Sequence, residues 1–430
     1  MRTQKLGFWA LTSLVAGSQI GTGIFLLPAN LAVYGGLGLF SWLLTGTGAL
    51  LLAMVFARLS REMPKTGGPH TFIEAAFGKT AGFFAAWTYW VISWFSSSLV
   101  VVAIVSYLSP LLGPISPFAT LALQLFFLAL LTILNLSGIR SVGFVESILT
   151  ILKLLPLLIV PIGGLFFINK NYFNLSEIPS FPVAWSHLTK AALLTFWGFI
   201  GVETATAPAE TIHNPHKTIP RALITGTAIV LIAYVFSSSV VMGVVPPLEL
   251  MQSKAPFATA AEIIFGGNWH LVISIAASIV CVGTLNAWVF TSGQIALGAA
   301  YDGYFPSIFA HKNRKGAPVY AVLISSLGIV PVLFLAMNQS LGSFINFMID
   351  VSVTAFLFIY SLCVISYLKL FWKKAERINL GGILISIGAL TFCSWILISS
   401  DLKTVGLASL ISLTGVPLYL WRRKKTLSPA

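Results

Sequence analysis

Gly21-Thr22-Gly23, in the middle of the first long apolar stretch, is the reading that decides the fold. A second apolar stretch carries an echo, Gly198-Phe199-Ile200-Gly201-Val202-Glu203. Backbone exposed to lipid must satisfy its own hydrogen bonds, so irregular backbone at membrane depth survives only where it lines a cavity or is buried in protein. Two glycine-interrupted spans at matching places in two halves of a chain are the sequence pointer to a transporter binding site.

The composition supports a membrane setting. Only 9% of residues are charged and 57% are hydrophobic, with a mean hydropathy of +0.92, whereas a soluble domain carries about 25% charged residues. A spanning helix needs about 20 mostly apolar residues. The 430 residues hold about twelve such segments, at 7–33, 37–60, 80–112, 117–137, 143–168, 187–211, 220–245, 268–300, 318–337, 342–368, 379–399 and 403–421. They leave no room for a separate soluble domain. The N-terminus has no small-residue cleavage site before the Gly-Thr-Gly, so it reads as the first span and not as a signal peptide.

The net charge of +13 would suit nucleic acid, but its placement argues for a lipid bilayer instead. With a cytoplasmic N-terminus, only Lys170, Lys190, Lys254 and Lys403 fall in outer loops, and only Lys153 lies within a span. The remaining Lys and Arg, among them Arg58, Arg61, Arg140, Arg221, Lys373 and Arg422–Lys425, lie on the inner side. This is the positive-inside pattern, with an even number of spans and both termini cytoplasmic. The basic tail Arg422–Lys425 reads as a topology anchor, with anionic lipid as a lesser partner. Cys281, Cys363 and Cys393 lie in apolar spans without metal-ligand spacing, and the six histidines are scattered. No metal, cofactor or catalytic group is expected, and the chain does not read as an enzyme.

The spans fall into a first five (1–168), a second five (187–368) and a last two with the basic tail (379–430). The first and sixth carry the interruptions. The third and eighth are unusually long, with Tyr89, Trp90 and Trp94 near the middle of one and Trp288 of the other. A five-span unit flips orientation when repeated, so the expected architecture is an all-α five-plus-five inverted repeat with broken first and sixth helices. In loop 61–79, Thr71–Phe77 reads as a short interfacial helix. Asn214-Pro215 reads as a turn, with Pro220 opening the next helix.

Unwinding at Gly21-Thr22-Gly23 leaves free N–H groups at the start of the outer half-helix, whose partial positive charge suits a carboxylate. Unwound carbonyls of the first and sixth spans suit an ammonium. Together they would hold an α-amino acid by both charged ends; close packing through small residues is the competing account. Glu203, just after the second break, is a carboxylate at membrane depth and therefore a functional candidate, for proton exchange or for bracing the unwound segment. Lys153, about ten residues into the fifth span, is a candidate for proton coupling, against a static charge pinned by helix carbonyls. Asp350, near the outer end of the tenth span, would attract a cationic side chain or simply be wetted by solvent. Trp197 and Trp288 sit mid-span beside Gly or Asn and are candidates to wall a cavity and stack on a cation.

Gly21-Thr22-Gly23-Ile24-Phe25-Leu26-Leu27-Pro28, Phe199-Ile200-Gly201-Val202-Glu203, Asn214-Pro215-His216-Lys217-Thr218-Ile219-Pro220-Arg221, Tyr301-Asp302-Gly303-Tyr304-Phe305-Pro306 and Gly316-Ala317-Pro318-Val319 occur in that order. Together they resemble the amino acid–polyamine–organocation transporters, above all the basic amino acid/polyamine antiporter branch and its arginine/agmatine antiporters. The resemblance covers nearly the whole chain and implies alternating access around a central site. It implies that Thr22 and Gly23 hold a substrate carboxylate, with Ile24 also among the substrate-binding residues, and that the carbonyls of Gln19, Trp197 and Ile200 hold its amino group. It also implies that Trp288 stacks on the substrate side chain, that Ser352, Ser93 and Ser97 face that side chain, and that Tyr89, Glu203 and Tyr360 form a gating and proton-sensing set. Ser97 stands where arginine/agmatine antiporters have an asparagine, and Lys153-Leu154-Leu155-Pro156 resembles instead the proton-coupled permeases of the same superfamily.

The expected function is secondary active transport of cationic or polar amino acids or their amines, as an exchanger or proton-coupled permease in a bacterial inner membrane. Proton-coupled uptake of neutral amino acids is the alternative, and a non-transporting amino acid sensor is the alternative from another class. Protons and the bilayer are the further partners, and a homodimer is possible on the precedent of the family.

Overall fold

The computed structural model describes residues 5–173, 180–253, 255–337, 341–372 and 380–427. Arg2, Lys254, Lys373, Lys374 and Arg377 of the charge pattern lie outside the described residues. Helices account for the architecture: α1 (Phe8–Gln19), α2 (Thr22–Ala32), α3 (Gly36–Glu62), α4 (Pro69–Phe77), α5 (Lys79–Leu112), α6 (Pro117–Leu136), α7 (Ile139–Gly164), α8 (Phe181–Trp197), α9 (Pro215–Val244), α10 (Pro247–Gln252), α11 (Pro256–Phe265), α12 (Trp269–Tyr301), α13 (Val319–Ala336), α14 (Leu341–Trp372), α15 (Leu380–Ser399), α16 (Leu402–Leu413) and α17 (Val416–Leu427). Only isolated bridges stand in for β-structure among the described residues, one of them joining Leu6 to Ile212.

Eleven segments among the described residues are long and apolar enough to cross a bilayer, with α1 and α2 together forming the first. The expected sixth span is missing from that set because α8 stops at Trp197. Its path continues as turns and two short 3-10 segments, Thr204–Thr206 and Ala209–Thr211. One expectation is corrected: Pro215, not Pro220, opens the helix after the sixth span. Asn214 takes a left-handed conformation (φ 47°) that ends the preceding segment. Pro215 then occupies a first-turn position, where its missing N–H has no helical partner to lose. The short helix expected at Thr71–Phe77 begins two residues earlier, at Pro69, for the same reason, and buries His70, Phe72 and Ile73 against α5 and α14.

Helix contacts fall into matched pairs. α1 packs on α9 as α8 packs on α3; α5 packs on α13 as α12 packs on α6; α7 packs on α12 as α14 packs on α5. The short helices follow suit: α4 lies on α5 and α14, and α11 lies on α12 and α7. Both start at a proline and end in Phe-Gly, with Gly78 (φ 87°) and Gly266 (φ 69°) in conformations that favour glycine. That echo, Pro69…Phe77-Gly78 against Pro256…Phe265-Gly266, was readable in the sequence.

Candidate substrate-binding site

Helix α1 ends at Gln19, and Gly21 (φ −142°, ψ −147°) separates it from α2. A Cβ at Gly21 would stand 2.9 Å from the Thr284 methyl carbon, so the close crossing with α12 admits only glycine without rearrangement. A helix end leaves its last carbonyls without intrahelical partners. Here four successive carbonyls each receive a side chain from another helix. Lys153 Nζ donates to Gly17 (2.6 Å), Trp288 Nε1 to Ser18 (3.2 Å), the Tyr234 hydroxyl to Gln19 (2.7 Å) and the Thr284 hydroxyl to Ile20 (2.5 Å). The broken end of α1 is thereby held by α7, α9 and α12. On the far side of the break, the first-turn amides of α2 at Thr22, Gly23 and Ile24 form a helix N-terminus with its partial positive charge. The Thr22 hydroxyl is buried there without a partner.

The second break meets the first. Gly201 adopts φ 103°, a region L side chains avoid, and a Cβ there would lie 2.8 Å from the Ser18 hydroxyl. The Ser18 hydroxyl donates to the Gly201 carbonyl (3.1 Å) and pairs with that of Thr204 (3.0 Å). Trp197, the last residue of α8, lies against α2: a Cβ at Gly23 would stand 2.9 Å from its ring. Just beyond the break, each oxygen of the buried Glu203 carboxylate accepts a phenol: Oε1 from Tyr89 on α5, Oε2 from Tyr360 on α14 (2.5 Å). Three residues far apart in sequence thus meet at one point, which only the packing of the third, sixth and tenth spans brings about.

Two broken spans that meet at their breaks, one offering an amide-lined N-terminus and the other a carboxylate held by two tyrosines, suit a small zwitterion or cation. A family model described as amino acid permease matches residues 6–413. The chain belongs to the amino acid permease family. It is 29% identical to a putative arginine/ornithine antiporter of Bacillus subtilis, over 97% of each chain. It is 32% identical to the putrescine transporter PotE of Haemophilus influenzae, over 88% of this chain and 86% of that one. It is 29% identical to the cadaverine/lysine antiporter of Escherichia coli, over 79% and 77% of the two chains. These relatives place the permease in the basic amino acid/polyamine antiporter branch, among transporters and not enzymes.

Lys153 of this permease, deep in the fifth span, has a partner that was not singled out from the sequence. Lys153 and Glu146 are both fully buried, with Nζ 3.3 Å from Glu146 Oε1. Glu146 Oε2 accepts from Asn286 Nδ2 (2.7 Å), and Asn286 Oδ1 accepts from Asn135 (3.1 Å). The usable signal was the spacing, since residues seven apart lie on one face of a helix. It was overlooked because Glu146 falls in the first turns of its span, where a charge is ordinary.

Other expected residues take varied positions. Trp288 is buried, its ring 6.5 Å from Tyr89 and 5.6 Å from Phe356. Ser93 donates to the Trp90 carbonyl (2.6 Å) and pairs with Ser292 (2.9 Å), at the contact of α5 with α12. Ser97 and Ser352 are buried, the latter with an unpartnered hydroxyl. The Gln19 carbonyl, expected at the substrate ammonium, accepts from Tyr234, and the Trp197 carbonyl accepts from the Ile200 amide (3.3 Å). Asp350 is partly exposed on α14.

Backbone bonds tie the N-terminal segment and the loop before α4 to the end of the sixth span. The Leu6 amide donates to the Thr211 carbonyl (2.8 Å), the Leu6 carbonyl accepts from the His213 amide (3.0 Å), and the Gly67 amide donates to the Ala207 carbonyl (3.0 Å). Nearby, Asp302 bonds both Lys65 and His70, the latter at 3.1 Å. Burial alone would push the Asp302 carboxyl up, but its hydrogen bonds and charge interactions with His70 and Lys65 outweigh that and hold it below the usual carboxylate range.

Proposed function

We propose that this permease is a secondary exchanger of cationic amino acids and their amines, working by alternating access in a bacterial inner membrane with both termini cytoplasmic. The observation that carries the proposal is the meeting of the two breaks, Ser18 against Gly201, beside the N-terminus of α2. A substrate carboxylate would bind the amides of Thr22, Gly23 and Ile24, assisted by the Thr22 hydroxyl. Carbonyls of the two breaks would take the ammonium, and Trp288 and Trp197 would offer ring faces to a cationic side chain. The names of the relatives, an arginine/ornithine antiporter, a putrescine transporter and a cadaverine/lysine antiporter, favour basic substrates over neutral ones. A diamine has no carboxylate, so it would leave the α2 seat unused and depend on carbonyls and ring faces.

The matched helix contacts support the inverted five-plus-five repeat, with 1–168 and 187–368 as its halves and 379–430 as an addition. Two sites support proton coupling. Protonating Glu203 would convert an acceptor of two phenols into a group with one oxygen committed as donor, loosening the link between α5, the sixth span and α14. Lys153 is the second, through its bond to the broken end of α1.

Proteoliposomes loaded with arginine, ornithine, lysine or putrescine, and offered labelled basic and neutral amino acids and diamines outside, test the reading. Exchange restricted to basic substrates is expected. Competition by alanine or leucine alone would replace it with the neutral-substrate reading, and the absence of flux with intact binding would indicate a sensor.

A further inference from the structure

The contact of α1 with α7 holds a second ionisable group besides Lys153, and a cleft opens beside that contact. About 460 Å³ of open space lies between the start of α1 and the first turns of α7, lined by Lys5, Ala10, Gly143, Phe144 and Ser147 among others. Gly143 and Ser147 are three residues before and one after Glu146, so the cleft is lined by the helical turn that carries Glu146, whose carboxylate is itself fully buried. The carboxylate is built in. A Cβ at Gly17 would overlap Glu146 Oε1, and one at Gly283 would overlap Lys153, so these two glycines make the room the pair occupies. Asn286, itself held by Asn135, fixes Oε2, which leaves Oε1 to face Lys153 and Thr150 (3.4 Å).

We infer that Glu146 is the group through which this permease exchanges protons with the cytoplasmic side, its protonation releasing Lys153 from its carboxylate partner. The inference rests on the transporter reading and its topology. As a carboxylate, Glu146 shares the ammonium of Lys153 with the Gly17 carbonyl. A proton arriving from water in the cleft binds Oε1 and no other bond is made or broken covalently; the charge of the pair rises from zero to plus one. Protonated Oε1 no longer accepts from the ammonium, which then rests on the Gly17 carbonyl alone. Gly17 lies four residues before Gly21, and Asn286 lies two residues before Trp288, so both strands of the change reach the substrate seat. The other titratable groups on packed elements are differently engaged or remote. Cys281 on α12 is a fully buried thiol, Tyr234 on α9 is bonded to Gln19, and His216 to the Arg61 carbonyl. Glu262 on α11 lines a separate cleft, and Lys5 stands at the mouth of this one.

The test is exchange of labelled basic substrate in oriented proteoliposomes, with pH varied separately on each face, for wild type and Glu146→Gln. Wild-type flux should vary with cytoplasmic-face pH, approaching tenfold per pH unit on its limb. Glu146→Gln should flatten that profile to within about twofold. Infrared difference spectra on acidification should show a protonated-carboxyl band in wild type that the variant lacks. A variant that keeps the wild-type profile and band overturns the inference and leaves the transporter reading standing; wild-type flux indifferent to cytoplasmic-face pH does the same. Absence of any wild-type flux overturns the transporter reading itself. If Glu146→Gln does not fold, Glu146→Asp decides: it should retain pH dependence with a displaced midpoint, and an unmoved midpoint counts against Glu146.

Discussion

Replacing Lys153 by Met tests whether the buried pair works as a charge pair. The substitution keeps an unbranched chain of similar length but strands the Glu146 carboxylate, which retains only Asn286 and Thr150 as donors. Removing one partner of a buried ion pair costs about 3–5 kcal/mol. Part of that is the ammonium bond to the Gly17 carbonyl (2.6 Å), a charged hydrogen bond worth about 1.5–3 kcal/mol. The double variant Lys153→Met/Glu146→Gln loses that bond too but strands no charge, so it should recover about 2 kcal/mol. Unfolding entropy of roughly 2.1 cal/mol/K per residue gives about 0.9 kcal/mol/K for 430 residues. The single variant should therefore lower the apparent midpoint by at least about 3–6 °C, and the double by about 1–3 °C. Helices persist when a membrane protein loses its tertiary contacts in detergent, so the operative entropy is smaller and the shifts larger. Intrinsic fluorescence of the 12 tryptophans during a scan at fixed rate reads the midpoint, which is a kinetic quantity if unfolding is irreversible. A single-variant loss under about 1 °C, or a double variant less stable than the single, would refute the charge-pair account.

Gly23→Ala places a methyl 2.9 Å from the Trp197 ring at the α2 amides, so exchange should fall at least about tenfold, a 1.4 kcal/mol effect; unchanged flux would remove Gly23 from the seat. Trp288→Leu should weaken binding of a basic substrate about five- to thirtyfold, the equivalent of about 1–2 kcal/mol of cation–π attraction. Trp288→Phe, which loses only the bond to the Ser18 carbonyl, should weaken it less; equal losses would assign Trp288 to bracing α1. Tyr360→Phe leaves Glu203 Oε2 without its phenol and should alter the rate of exchange more than substrate Kd, measured by flux and by equilibrium binding on the same preparation. The folded Asp302 carboxyl lies below its unfolded value, so its stabilising contribution is present above about pH 3.9 and is lost as pH falls through the folded value. Asp302→Asn should accordingly cost about 0–1 kcal/mol, limited by the half-exposed Lys65, with the difference from wild type constant for this carboxyl between pH 5 and 8 and vanishing in acid. A thermal-shift series against pH checks both parts.

The sequence by itself determined the all-α membrane fold, the family and the two places where helices break. Those rest on local physics: about 20 apolar residues make a span, and glycine at mid-span permits a break that lipid would otherwise forbid. Glu203, Lys153 and Trp288 were legible for the same reason, since a polar or aromatic residue stands out against an apolar span. What served each of them was not legible. That four side chains from three helices each take one carbonyl of Gly17–Ile20, and that Glu146 lies against Lys153, depends on which helix faces cross. The Pro215 start of α9 was missed because a proline is tolerated both at the first turn and a few residues later, and only the left-handed Asn214 chose between them. Composition sets which backbone groups are left without partners at a break; only tertiary packing decides which distant side chain satisfies each one, because the members of those pairs lie up to 270 residues apart.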